Sequence, residues 1–260
     1  MIKLVVSDVD GTLLKKGEER LSEAALLAVR RLSERGVLFA AASGRSYSEL
    51  RRLFGAAGDQ MAFICSDGAL TMYRGKVLEE LSMDGEKARR LYVAAMKHSA
   101  YSVLISCRVT GYFTARCPAF EQKVRADLRG HAAAMGCVNE IAQPILKFAL
   151  YGEGGIPEGD SVGQKALALG FRQAYADEKW REYVAPGVHK GAALGALRQR
   201  FGFSKDECMA FGDNINDLEM MEQVGFDYAM SQGKEALKAV CRYQTGDVVK
   251  TLDGLFGLGL

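Results

Sequence analysis

The sequence predicts an α/β protein in which a parallel-sheet core, residues 1–82 and 187–260, is interrupted by an α+β insert at 83–186. Three observations lead there. The first 82 residues alternate short, continuous apolar runs with helical patterns in a β-α-β-α-β rhythm, with a loop after each strand. That alternation is the mark of a parallel sheet with helices on its faces. The same rhythm resumes from 187 to the end. Between the two stretches the pattern changes to hairpin-like strand pairs separated by helices, which fits a second domain better than a continuation of the first.

Taken in order, Ile2 to Val6 is a short apolar run of the kind that forms a strand buried on both faces. LSEAALLAVRRLSERG follows, with apolar residues at 21, 25, 26, 29 and 32, Ser22 placed to cap a helix and Gly36 to stop it. VLFAAASGR reads as the second strand, SYSELRRLFGAAG as the second helix and MAFICSDG as the third strand. In the insert, GEKARRLYVAAMKHS predicts a helix, YSVLISC and GYFTAR strands, and AFEQKVRADLRGHAAAMG a further helix. PILKFALYG predicts a strand, EGDSVGQKALALG a helix, and the flanks of DEKW two more strands. In the final stretch HKGAALGALRQRFG, INDLEMMEQVG and GKEALKAV carry helical patterns, and CMAFGDN and FDYAM read as strands.

Composition narrows the class. Apolar residues at 48% and charged residues at 25% are those of an ordinary globular protein. Lys plus Arg number 34 against 32 Asp plus Glu, so the balance excludes nucleic acid or an anionic membrane as the main partner. It leaves room for a local cationic pocket suited to a small anion. The six cysteines form no CxxC and no zinc spacing with histidine. No apolar run approaches the roughly 20 residues that a membrane span needs, and Asp8 and Asp10 interrupt any apolar leader. The expectation is a reduced, cytoplasmic, soluble protein, with its oligomeric state left open.

Four stretches carry chemistry. DVDGTLL (8–14) runs a buried strand straight into two carboxylates, an expensive arrangement unless a cation or hydrogen-bond donors compensate. AASGR (41–45) ends the second strand with a hydroxyl at Ser43. VHKGAAL (188–194) opens a helix with Lys190, where the helix dipole disfavours a cation unless an anion lies between. GDNINDLEMM (212–221) places Asp213 at a strand end and Asp217 one turn further on, so that both can face the same loop space. Each is an ordinary turn or cap in isolation. All four in this order resemble the haloacid dehalogenase-like phosphatases, and among them the Cof-type branch with a large C2-type cap.

The resemblance implies a Rossmann-like core, an inserted cap over 83–186, and a Mg²⁺-dependent phosphatase of small phosphorylated metabolites. Sugar phosphates or glycosyl-phosphoglycerate-type compounds fit the branch. It assigns catalysis to Asp8, Asp10, Ser43 and Lys190, with Asp8 as the nucleophile that takes the phosphoryl group as an aspartyl-phosphate. Asp10 lies where it can protonate the leaving alkoxide and then activate water. The metal set is Asp8, Asp10 through its backbone carbonyl, Asp213 and Asp217, with Asp217 open between direct ligand and supporting residue. Substrate contacts fall to Ser43, Gly44, Arg45, Lys190 and Asn216. In the insert, Arg108, Tyr112, Arg116 and Lys147 are the polar candidates, while His98 and His189 read as structural. The chain departs from the branch at Asp67-Gly68, where Asn-Gly is frequent, at Ser231-Gln232, and at QTGDVVKTL. A phosphomutase on the same fold and a non-catalytic metabolite-binding protein are the competing readings. Release of inorganic phosphate separates phosphatase from phosphomutase, and loss of Asp8, Asp10 or Lys190 would signal the binding protein, but all three are present.

Overall fold

The computed structural model describes residues 1–260. Residues 1–45, 50–79 and 189–260 form one compact unit; residues 46–49 and 80–188 form a second. No helix is long and apolar enough to cross a membrane.

The chain opens with β1 (Leu4–Asp8), α1 (Glu23–Glu34), β2 (Leu38–Ala42), α2 (Tyr47–Phe54), β3 (Ala62–Cys65), β4 (Leu70–Tyr73) and β5 (Lys76–Glu80). The middle holds α3 (Gly85–Met96), β6 (Tyr101–Cys107), β7 (Gly111–Thr114), α4 (Pro118–Leu128), β8 (Ala132–Ala134), β9 (Ile145–Gly152), α5 (Ser161–Ala168), β10 (Arg172–Ala176) and β11 (Trp180–Val184). It closes with α6 (Lys190–Arg200), β12 (Cys208–Gly212), α7 (Leu218–Met221), β13 (Phe226–Met230), α8 (Glu235–Lys238), β14 (Tyr243–Thr245) and α9 (Val248–Phe256).

An eight-stranded sheet runs β14-β13-β12-β1-β2-β3-β4-β5. From β14 to β3 every pairing is parallel, and β3–β4 is antiparallel. Strand order reverses between β1 and β12, whose register pairs Leu4 with Cys208 and Ser7 with Phe211. In open parallel sheets such a reversal opens a crevice at the carboxyl ends of the strands. Both strands are buried along their whole length, which is why they read as unbroken apolar runs. Ala40 and Ala42 of β2, Ala62 of β3 and Leu194 and Leu197 of α6 share one buried cluster with Leu4, Val6, Ala210 and Met220. Burying each Leu stabilises the fold by roughly 1.5–3 kcal/mol. At the C-terminus, Arg31 donates to the carbonyls of Leu258 and Gly259, and Arg35 to those of Phe256 and Gly257, so α1 holds the end of α9.

The second unit is a six-stranded sheet, β10-β11-β9-β6-β7-β8, antiparallel throughout except for β7–β8. Phe113 packs with Phe120 of α4, whereas the neighbouring Thr114 bonds to the Tyr92 hydroxyl of α3 at 2.9 Å. Successive strand residues point to opposite faces, so α3 and α4 cover opposite sides of the sheet.

Several expectations need correction. The helix expected over AFEQKVRADLRGHAAAMG stops at Leu128, because Arg129 and Gly130 turn left-handed at φ 34° and 84°. The alanines beyond pair in parallel with β7, so strand pairing overrides their helical propensity. The third strand ends at Cys65, and Ser66–Gly68 form a tight turn. The β4–β5 hairpin was not expected; its two-residue turn, Arg74-Gly75, has positive φ at both positions, the geometry that matches strand twist. The helices expected over INDLEMMEQVG and GKEALKAV are only four residues each, and β14 and α9 follow them unforeseen.

Candidate active site

The loop after β1 turns back on itself. Gly11 N–H donates to the Leu14 carbonyl, Leu14 N–H donates to Val9, and Gly11 takes φ 91°. A Cβ at Gly11 would stand 2.4 Å from Asp213 Oδ2, so only glycine lets the Asp213 carboxylate lie against this loop. Thr12 Oγ1 donates to Asp213 Oδ1 at 3.4 Å, and Gln232 Nε2 donates to the Gly11 carbonyl at 3.2 Å. Gln232 drew notice in the sequence only as a departure from the branch.

Lys190 joins the first and last chemical stretches. Its ammonium donates to Asp8 Oδ1 at 2.6 Å and to Asp217 Oδ1 at 2.7 Å, and all three side chains are buried. His189 caps α6 by accepting the Ala192 N–H at Nδ1, which fixes where the helix and its lysine begin. Burial alone would depress the Lys190 pKa, but the charges of Asp217, Asp8 and Asp67 more than offset it and hold the ammonium protonated. Burial pushes the Asp8 pKa well up; Lys190 opposes that shift and Asp217 adds to it. Asp213 is raised by burial and by Asp217.

Asp8, Asp213 and Asp217 each offer a carboxylate oxygen within 4.8 Å of the others. Asp8 Oδ2 is buried and has no hydrogen-bond partner. Asp217 is engaged at both oxygens: Oδ1 accepts from Lys190, and Oδ2 accepts the N–H groups of Asp213 and Asn214, each at 3.1 Å. Both of its oxygens thus support the loop and Lys190, and Asp217 stands at the same time in the carboxylate cluster that could hold a cation. The Asn216 side-chain oxygen is buried without a partner.

The Asp10 carboxylate is gripped by Arg45, Nε to Oδ2 at 2.9 Å and Nη2 to Oδ1 at 2.6 Å. The sequence placed both residues at the site without foreseeing that they pair. Ser43, buried at the end of β2, accepts the Arg45 N–H at Oγ and lies 3.5 Å from Asp10 Oδ2. Gly44 lies against Asp67, whose carboxylate oxygens are 3.1 and 3.3 Å from where a Gly44 Cβ would be. The four residues of the insert form contacts inside the second unit. Arg108 pairs with Glu80, the Tyr112 hydroxyl accepts from Gln143, Arg116 donates to the Met96 carbonyl, and Lys147 is buried on Glu182 at 2.7 Å. His98 hydrogen-bonds Ser161 and stacks on Tyr101.

Strand-end carboxylates on β1 and β12, with a lysine and a serine converging from α6 and β2, define a hydrolase of the α/β type. Residues 5–133 and 171–256 match the haloacid dehalogenase-like hydrolases, and the chain belongs to that family. Among its relatives, HMP-PP phosphatase of Klebsiella pneumoniae is 30% identical over 249 residues, covering 92% of this chain and 88% of the relative. The 5-amino-6-(5-phospho-D-ribitylamino)uracil phosphatase of Escherichia coli is 25% identical over 250 residues, covering 94% and 91%. The fold matches a solved structure from Eubacterium rectale with TM-score 0.88 at 24% identity, covering 98% of this chain and 99% of that one. A haloacid dehalogenase-like hydrolase from Bacteroides thetaiotaomicron matches with TM-score 0.83 at 20% identity, covering 98% and 100%.

Proposed function

We propose that this hydrolase is a Mg²⁺-dependent phosphatase of small phosphorylated metabolites, working through an aspartyl-phosphate on Asp8. The observation that carries the reading is the Asp8 carboxylate itself. It is buried, anchored at Oδ1 by Lys190, and has a second oxygen with no protein partner. Two of the relatives are phosphatases by name, of HMP-PP and of a phosphoribitylamino-uracil.

The residues fit a divalent cation. Hard cations take oxygen ligands, and Asp8 and Asp213 supply carboxylates beside each other while the Asp10 carbonyl lies in the same loop. Asp217 supports them from behind through Lys190 and the Asp213 N–H. What the cation supplies when bound is neutralisation of charge on the phosphoryl oxygens.

The chain's own residues do the rest. An Asp8 oxygen forms a bond to phosphorus as the ester P–O bond breaks, and the leaving oxygen takes a proton from Asp10. Water then attacks phosphorus, giving its proton to Asp10, and the acyl-phosphate bond breaks to return Asp8 and release inorganic phosphate. Arg45 holds both oxygens of Asp10 in this structure, a grip that must loosen for Asp10 to carry the proton. Lys190 and Ser43 hold the phosphoryl oxygens, a preorganised charge stabilisation that costs no reorientation during reaction.

Inorganic phosphate release across a panel of sugar phosphates, nucleotides and glycosyl-phosphoglycerate-type esters tests this. Release should require Mg²⁺ and vanish in excess chelator. Undiminished turnover in chelator would remove the metal. Phosphoryl return to substrate with no phosphate released would make the chain a phosphomutase, and no reaction with any ester would favour a binding protein.

A further inference from the structure

The turn after β3 has no part in the reaction just described, yet it is built into the site. Ser66 and Asp67 take consecutive left-handed φ values of 49° and 58°, and Gly68 follows at 105°. One flank is stitched to the loop after β2. Ser66 N–H donates to the Arg45 carbonyl at 2.9 Å, and Asp67 N–H donates to the Ser43 carbonyl at 3.1 Å. The other flank abuts the start of α6, where a Cβ on Gly68 would stand 2.5 Å from the His189 carbonyl oxygen and 3.2 Å from the Lys190 nitrogen.

Asp67 is thus pinned between the two segments that carry Ser43 and Lys190. The residue is 4% exposed, with both carboxylate oxygens against Gly44. A fixed carboxylate here works against an anion site, because like charges repel strongly where water is excluded. Its charge already reaches Lys190, alongside those of Asp217 and Asp8. The lysine already holds two carboxylates, Asp8 and Asp217, before any phosphate arrives.

We propose that Asp67 sets how loosely the site holds phosphate: its buried carboxylate shares the charge of Lys190 and repels a dianion at the Ser43–Arg45 loop, so that product departs. The proposal rests on the reading of Ser43 and Lys190 as phosphoryl-binding residues. It acts on affinity, since Asp67 positions charge and touches no reacting atom. In many enzymes release of product is the slow step, and where it is, a site with weaker hold on the dianion turns over faster.

Calorimetric titration of inorganic phosphate into the full chain with Mg²⁺ reads this without turnover. Asn tolerates the left-handed backbone and Gly adopts it freely, so Asp67→Asn and Asp67→Gly both remove the charge at small conformational cost. Each should bind phosphate about tenfold more tightly than wild type, equivalent to about 1.4 kcal/mol. The KM for para-nitrophenyl phosphate should fall alongside, with kcat reduced as release slows. Damage to the fold would loosen binding, so a gain in affinity distinguishes the charge effect from a structural one. Unchanged or weaker phosphate binding in both variants overturns the proposal, as does the absence of phosphate binding in all three proteins. Tighter binding by the variants of a chain that hydrolyses no ester upholds it and overturns the phosphatase reading alone.

Discussion

Lys190 is the side chain on which the site hangs. A buried ammonium between two carboxylates leaves one negative charge in excess, so neutralising one carboxylate does not strand the lysine, whereas removing the lysine strands both acids. Asp8→Asn is therefore a sharp test of the nucleophile: it keeps the shape, leaves Lys190 on Asp217, and removes one buried charge. We expect kcat to fall by about a thousandfold or more while the thermal midpoint holds or rises, checked by steady-state kinetics and circular-dichroism melts. Retained turnover in a clean preparation would take the nucleophile away from Asp8. Asp8, Ser43, Lys190 and Asp213 were legible in the sequence because each stands at the end of an apolar run or the start of a helix, where side chains meet the crevice. The Asp10–Arg45 pair was not, since a bidentate grip depends on side-chain directions set by the folded loops. Asp67 was hidden for another reason: Ser-Asp-Gly reads equally well as the end of a strand, and left-handed φ on two residues bearing a Cβ leaves no mark in the letters.

At the scale of the element, α6 decides where Lys190 points, and it does so by approaching α7 closely. A Cβ on Gly191 would lie 2.2 Å from the Glu219 carbonyl oxygen and 2.4 Å from its carbon, both backbone atoms with little freedom to retreat. Gly191→Ala should destabilise the fold by about 2–3 kcal/mol and, by shifting the helix start, lower kcat as well. A urea titration with unchanged slope and a reduced midpoint would show it; a neutral result would mean that α7 moves aside. The helix itself was readable from its pattern, but the reason for its glycine was not. Long elements buried on one or two faces declared themselves by periodicity. Of the short ones, α7 and α8 were read in the right places but too long, and β8 and β14 not at all, because three residues hold too little periodicity; the nine-residue α9 was also missed.

At the scale of the whole molecule, every residue of the proposed chemistry belongs to the unit made of 1–45, 50–79 and 189–260. We expect the unit around 80–188 to choose the substrate rather than perform the reaction. Arg108→Ala, Tyr112→Phe and Arg116→Ala should change relative kcat/KM among natural esters by amounts equivalent to about 1–3 kcal/mol, and change para-nitrophenyl phosphate turnover far less. Equal losses on all substrates would make this unit part of the catalytic apparatus. Lys147 is a poor probe, since it is buried on Glu182 and its loss would cost stability first. The pairing of β1 with β12 has a consequence for synthesis. Asp8 and its partner Lys190 are 182 positions apart, an interval of roughly ten to forty seconds at ribosomal speeds of about 5–20 residues per second. Until β12 is made, β1 can pair with β2 on one edge but has no strand for the other, and its amides there stay open to solvent exchange. Of the parallel strands, the one that bears the nucleophile is made first and waits longest for its second neighbour.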